Sequence, residues 1–211
     1  MTNEISVEQL IDLSIEENIL PDHKFHYRWH ELAEWQFDAL CRSGLEPGHR
    51  LLDIGCGPLR LGLRAIPYLE DGNYFGVEAF PPYIRLGQRV LRECGVDKRS
   101  TILQSTMFEF EKFKATFHFA IAQSVFTHMS DDQVRHCVTK LQSVMEPGGR
   151  LLFTYIVGRD PSGFLYGGVQ PMVRLGVPDA SWFDGLASDL GLRFECSEIP
   201  HPTQEVGLLI F

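Results

Sequence analysis

Asp53, Gly55, Gly57 and Glu78 are the residues whose types and spacing carry the clearest chemistry in this chain. The first three lie in Leu51–Leu61, reading Leu-Leu-Asp-Ile-Gly-Cys-Gly-Pro-Leu-Arg-Leu, and the fourth ends the segment Tyr-Phe-Gly-Val-Glu. A short apolar strand that runs into a turn with two glycines lets a ligand lie against main chain that no side chain covers, and a helix is expected to follow. A carboxylate at the end of the next strand can accept two hydrogen bonds from a ribose diol. Strand, glycine turn, helix and acid together point to an adenosine cofactor.

A second candidate centre lies downstream. His128 falls just past the fourth expected strand and just before a helix start at Ser130, the edge where open α/β sheets bind ligands. An imidazole there can take a proton from a hydroxyl or an ammonium group near neutral pH, which makes His128 the candidate catalytic base. The alternative is a histidine that packs against its loop. Gln123, at the end of the same strand, borders the crevice, and Tyr27, Tyr155 and His201 are candidates to line an acceptor pocket. His23, His26 and His30 have helical spacing, but His23 lies beside Pro21 and no His-Glu-x-x-His pattern occurs, because Glu34 follows His30-Glu31 where a second histidine would stand. No metal is expected.

These residues need a scaffold that brings strand ends together. Strands are predicted at Arg50–Ile54, Tyr74–Val77, Ser100–Gln104, Phe119–Ala122, Leu151–Ile156, Leu192–Ser197 and Val206–Phe211, with helices between most of them. The first five read as short apolar runs of the buried parallel kind. Ser130-Asp131-Asp132-Gln133 is a capping box, followed by Val134, Cys137, Val138, Leu141 and Met145 at helical spacing and by Pro147-Gly148-Gly149 as a stop. The last two strands are joined by too short a segment for a parallel crossover, so they must form an antiparallel hairpin. The fold class is α/β: a doubly wound, mostly parallel seven-stranded sheet ending in that hairpin.

Ahead of the sheet a helix is predicted over Phe25–Cys41, with Phe25, Trp29, Leu32 and Leu40 on one face, as part of a cap over residues 1–44. Residues 45–211 form the cofactor-binding part of a single globular domain. The connection Gly158–Asp179 is rich in glycine and proline and carries Phe164 and Tyr166, as a substrate-selecting lid or a structural loop would.

Composition narrows the partners. The chain has 211 residues and a formal net charge of −9 without any Lys/Arg run, which argues against nucleic acid or a membrane surface as partner. Five widely spaced cysteines without a Cys-x-x-Cys pair fit buried thiols in a reducing compartment. The N-terminus lacks the basic start and apolar run of a signal peptide or membrane span, so a cytoplasmic protein is expected.

From Leu45 to Phe211 the chain resembles the class I S-adenosylmethionine-dependent methyltransferases. Asp53-Ile54-Gly55-Cys56-Gly57 is similar to the family's first signature, Glu78 to its acidic second-strand end, and Thr106-Met107 to its third-strand signature. Phe117–His128 resembles its fourth strand and following turn, and Glu146-Pro147-Gly148-Gly149-Arg150-Leu151 its turn into strand five. The chain departs from the pattern at three places: Leu59 replaces a third glycine, Thr106 an acidic residue beside the adenine, and His118 an acidic residue entering strand four.

The resemblance implies a Rossmann-like methyltransferase fold and S-adenosyl-L-methionine as cofactor, contacted by Asp53, Gly55, Cys56, Gly57, Glu78, Thr106, Met107, Phe108 and Gln123. Asp53 would face the ammonium group, Glu78 the ribose, and Met107 with Phe108 the adenine. The activity implied is metal-independent methyl transfer to an oxygen or nitrogen of a small-molecule acceptor. Two alternatives stay open. A nicotinamide-dependent oxidoreductase is disfavoured by Arg60, which occupies the third glycine position of its fingerprint, and by the terminal hairpin. A cofactor-binding partner subunit without activity is the other.

Overall fold

A computed structural model describes residue 9 and residues 29–156 and 179–211. His23, His26, Tyr27 and most of the 158–179 connection, with Arg159, Phe164, Tyr166 and Arg174, lie outside the described residues. In chain order the elements are α1 (Trp29–Arg42), β1 (Leu51–Ile54), α2 (Gly62–Tyr68), β2 (Tyr74–Glu78), α3 (Pro81–Glu93), β3 (Ser100–Gln104) and β4 (Phe117–Ala122). They continue with α4 (Asp131–Gln142), β5 (Met145–Tyr155), α5 (Ala180–Leu190), β6 (Arg193–Cys196) and β7 (Glu205–Ile210), and short 3-10 turns occur at Phe110–Phe113 and Phe126–His128.

The described strands form a seven-stranded sheet in the order β3-β2-β1-β4-β5-β7-β6. Pairs β2–β3, β1–β4 and β4–β5 are parallel, while β7 runs antiparallel to both β5 and β6. The predicted α/β class, strand set and C-terminal hairpin are all present. By contacts the chain divides into two compact units.

The first unit holds α1, α2, β2, α3 and β3. Pro81 and Pro82 open α3, where a missing N–H costs nothing, and its buried face is Leu86, Gly87, Val90 and Leu91. Lys98 Nζ donates to the carbonyls of Pro67 and Leu69, 2.7 Å each, at the end of α2. In α1 the buried stripe is Trp29, Ala33, Gln36 and Leu40, so Leu32 is only half-buried and a polar residue shares the inner face. The expectation of five buried strands fails at β3, whose residues are exposed or half-buried because it lies at the sheet edge.

The second unit holds β1, β4, α4, β5, α5, β6 and β7. Here the apolar runs are buried as predicted: all of β1, and Phe119–Ala122 and Leu151–Tyr155 in β4 and β5. The Ser130–Gln133 capping box forms in full. The predicted stop does not: α4 ends at Gln142, and Met145 opens β5 opposite Phe117. Pro147-Gly148-Gly149 is a bulge inside that strand, between the pairs Met145–Phe117 and Arg150–Phe119. A Cβ on Gly149 would lie 2.8 Å from the Glu146 carbonyl oxygen, so only glycine fits the bend.

An aromatic group fills the interior, with Phe153 4.5 Å from Phe183 and 5.3 Å from Phe126 between ring centres. Gly207 of β7 leaves room for it, since a Cβ there would meet Phe153 Cζ at 2.5 Å. Asp179 caps α5 through the Trp182 N–H, and Gly191 ends it in the left-handed conformation.

At the other edge of this unit His118 takes over an acceptor role. Its Nδ1 accepts the Arg50 N–H at 3.1 Å, while the Arg50 carbonyl accepts the N–H groups of His118 and Phe119. The Arg50 guanidinium reaches Thr116 Oγ1 and, at 3.0 Å, Glu146 Oε1, which also accepts the Thr116 hydroxyl. That hydroxyl bond, aided by the Arg50 charge, holds the Glu146 carboxyl below its usual range. A folded-state value lower than the unfolded one stabilises the fold above the ordinary carboxylate range, and the benefit disappears as pH falls through the folded value. We therefore predict that Glu146→Gln lowers the urea midpoint more at pH 7 than at pH 3. An equal loss at both pH values would remove the electrostatic part of this account.

Candidate active site

After Ile54 the chain enters the turn Gly55-Cys56-Gly57-Pro58-Leu59, in which Gly55, Gly57 and Leu59 have φ of 66°, 53° and 60°. Alternate residues in the left-handed region curl the main chain tightly, which the two glycines tolerate without penalty. Cys56 is turned inward: its N–H donates to Val77 O, its carbonyl accepts from Leu59, and its Sγ packs where a Cβ on Gly76 would come within 2.8 Å. Its share in the site is to seat the turn on β2.

Glu78 anchors the turn from the other side. Its Oε2 accepts the Gly57 N–H at 2.9 Å and its Oε1 the Phe80 N–H at 2.8 Å. An ionised carboxylate offers about four acceptor positions, so each oxygen retains room for another donor. A Cβ on Gly57 would meet nothing nearer than Gly55 O at 4.0 Å, so that face of the turn is open. An oriented carboxylate with one acceptor position per oxygen, beside uncovered main chain, fits a ribose diol and its attached chain.

Leu59 occupies the missing third glycine position yet keeps a glycine's φ. Two other glycines make this possible. A Cβ on Gly87 of α3 would lie 2.7 Å from Leu59 Cγ and 2.8 Å from the Pro58 carbonyl carbon, and one on Gly62 of α2 would lie 3.1 Å from Leu59 Cβ. The Leu59 side chain is fully buried in the notch they leave. The helix α2 that follows has Leu61 at its N-cap with no side-chain cap. Arg60 Nε donates to Gln36 Oε1 at 3.2 Å, tying α1 to the turn. Thr106, beyond β3, is exposed.

In the second unit Asp53 is 2 % exposed on β1, in register with Ile121 of β4. Met107 is 62 % exposed, a large apolar side chain left in the open. Phe108, at φ 54°, has its ring 5.9 Å from Phe110 and 6.2 Å from His136. His128 ends a 3-10 turn, half-buried, with its N–H on Val125 O. Gln123 is buried and donates to Ser124 Oγ at 2.6 Å.

Two residues expected to line an acceptor pocket, Tyr155 and His201, hold contacts within the second unit. Tyr155 is 3 % exposed, its ring packed 5.2 Å from Phe183 and its hydroxyl 3.9 Å from Cys196 Sγ. Burial pushes its hydroxyl up to about 12, so it stays a neutral phenol beside the aromatic core. His201 Nδ1 accepts the N–H groups of Thr203 and Gln204, 3.1 and 3.0 Å away, and so shapes the turn into β7. Tyr27 lies outside the described residues. Among the described residues, no cluster of His, Cys, Asp and Glu could hold a metal, and no helix is long and apolar enough to cross a membrane.

Sequence reasoning missed Phe80, 43 % exposed two residues past Glu78; an aromatic directly after an acidic strand end is a legible signal. It also missed Ser124, Thr154 and Gln204. The Ser124 N–H donates to Thr154 Oγ1, and the Gln204 amide reaches Ser124 Oγ across 80 positions of sequence, a distance no local pattern reveals.

Residues 51–149 match a family model described as a methyltransferase domain. Among solved structures, the chain is similar to the magnesium protoporphyrin IX methyltransferase of Synechocystis PCC 6803, solved with bound S-adenosylmethionine. The TM-score is 0.65 and the identity 13%, over 86% of this chain and 78% of that one. It is similar to DhpI, solved in complex with S-adenosylhomocysteine, at TM-score 0.67 and 14% identity over 99% of this chain and 98% of that one. The YcgJ protein of Bacillus subtilis gives TM-score 0.62 and 21% identity over 82% and 71%. At these identities the solved structures establish the fold.

The Leu59 notch makes a stability prediction. Leu59→Gly relieves a strained φ worth about 1–2 kcal/mol but empties a buried site worth about 2–5 kcal/mol, so we expect a net loss in urea denaturation. Gly87→Ala should destabilise by about 1–3 kcal/mol through overpacking, and by less in a Leu59→Ala background. Additive losses in the double variant would separate Gly87 from Leu59.

Proposed function

We propose that the chain, whose residues 51–149 match a methyltransferase domain, is a class I S-adenosylmethionine-dependent methyltransferase that methylates an oxygen or nitrogen of a small-molecule acceptor. The observation that carries the cofactor assignment is the Glu78 carboxylate, which holds one backbone N–H on each oxygen and keeps an acceptor position on each for a diol. When bound, the cofactor supplies a methyl group on a sulfonium, open to in-line displacement.

The chain's own part is then binding, alignment and proton removal. Glu78 accepts the ribose hydroxyls, and Gly55 and Gly57 let the methionine portion approach the main chain. Asp53 faces its ammonium group. Exposed Met107, with Phe108 and Thr106 beside it in sequence, covers the adenine, and Gln123 borders the same ligand. His128, at the carboxyl end of β4, takes the proton from the acceptor as it is methylated. Residues 1–44 act as a cap and 45–211 as the catalytic part. The net charge of −9 supports a small molecule over nucleic acid as acceptor.

Glu78→Gln should weaken S-adenosylmethionine binding, measured by calorimetry, by about 1.5–3 kcal/mol for each charge-assisted hydrogen bond lost. Unchanged affinity would sink the ribose assignment. For His128→Ala, we expect turnover of an acceptor found by screening alcohols, phenols and amines to fall by roughly 10²–10⁴ with cofactor affinity preserved. The reverse outcome, weaker cofactor binding at normal saturated turnover, would make His128 a binding residue.

A further inference from the structure

Ser124 and Gln204 form a polar pair at the carboxyl edge of the second unit. Ser124 follows the end of β4, and Gln204 precedes β7, whose first residue, Glu205, lies opposite Tyr155 at the end of β5. Open α/β sheets bind their ligands along this edge. Ser124 is held in the left-handed region, φ 56°, by its N–H bond to the buried Thr154 hydroxyl at 2.7 Å. A non-glycine residue in that conformation marks a place where the surroundings impose the backbone.

Hydrogen-bond accounting shows what is left over. Ser124 Oγ accepts from Gln123 Nε2 at 2.6 Å and from Gln204 Nε2 at 2.8 Å, which uses both lone pairs and leaves the hydroxyl proton to be donated. Gln204 Oε1 is buried and has no partner. Rotating the Gln204 amide by half a turn exchanges the roles: the Ser124 hydroxyl then donates to Oε1, and one lone pair on Oγ and the Gln204 NH₂ group are left over. In either orientation one donor and one acceptor stand side by side. A buried amide oxygen without a partner is rare enough to call for a missing one.

We propose that Ser124 and Gln204 bind the acceptor through a neutral hydroxyl group, an alcohol or a phenol, which donates and accepts at a single atom and, unlike an aliphatic amine at neutral pH, carries no charge. In either orientation a carboxylate would set an acceptor against the acceptor left over, and an ammonium group would leave the remaining donor unmatched. His201, by accepting the Gln204 N–H, is a positioning residue for this pair. The proposal rests on the reading of the chain as a small-molecule methyltransferase and assigns it to hydroxyl oxygen.

The test is a side-chain amide NMR titration of the S-adenosylhomocysteine complex with four probes: phenol, cyclohexanol, benzoate and benzylammonium. The two hydroxyl probes should shift the Gln204 NH₂ signals and bind at least tenfold more tightly than the two ions. Gln204→Leu should weaken phenol binding at least tenfold while S-adenosylhomocysteine affinity and thermal midpoint hold. If that variant folds poorly, Ser124→Gly, which keeps the backbone conformation and removes the hydroxyl, should give the same loss. Equal or tighter binding of either ion, or Gln204 signals that no probe moves, would overturn the proposal. Failure of the wild-type protein to bind S-adenosylhomocysteine at all would strike first at the methyltransferase reading, and the proposal would fall with it.

Discussion

Gly57 and Phe80 lie outside helix and strand, where backbone N–H groups have no ladder to join, and the carboxylate of Glu78 takes both. The geometry of the first unit depends on that double attachment. It fixes the height of the glycine turn above the end of β2, and it fixes the path by which the chain leaves β2 for α3. The same two bonds orient the carboxylate itself, so a ligand meets an acceptor already aimed and loses little side-chain freedom in using it. The turn's inner seat, Cys56 over Gly76, completes the arrangement from below.

The second unit solves a different problem. Its central strands β1 and β4 and the Leu151–Tyr155 part of β5 are almost wholly buried, and polar side chains near their ends are used differently at the two edges. At the entry edge Arg50, Thr116, His118 and Glu146 satisfy one another, so the edge is closed and structural. At the exit edge Gln123, Ser124, Thr154 and Gln204 are linked, yet their bonds do not balance. An unbalanced polar group beside a strand end is where an open α/β fold has chemistry to do.

Much of this was legible in the residues. The apolar runs located the strands to within two positions except at the start of β5, the short final connection required the hairpin, and the Asp53–Glu78 segment announced a nucleotide-type corner. What failed did so for physical reasons. Periodicity carried α4 through Met145 because a strand that begins with a bulge has no pattern of its own, and Pro147-Gly148-Gly149 reads equally as a helix stop. The edge position of β3 is a consequence of neighbours far away in sequence. The partnership of Ser124 with Gln204 depends on β7 returning antiparallel to β5, a register that the hairpin made necessary but did not locate.

The Leu59 notch also bears on how such a chain can change over time. Leucine at this position depends on glycine at position 87, where a Cβ would lie 2.7 Å from Leu59 Cγ, and is crowded by any Cβ at position 62, 3.1 Å from Leu59 Cβ. Glycine at position 59 would remove the Leu59 contacts but leave a void, and a Cβ at position 87 would still lie 2.8 Å from the Pro58 carbonyl carbon. The three positions therefore form a lock with an order of opening: no member can be exchanged first without passing through a less stable protein. Sequences that descend from this arrangement should hold or replace all three together, so the trace of the lost glycine is to be sought in α2 and α3 rather than in the turn.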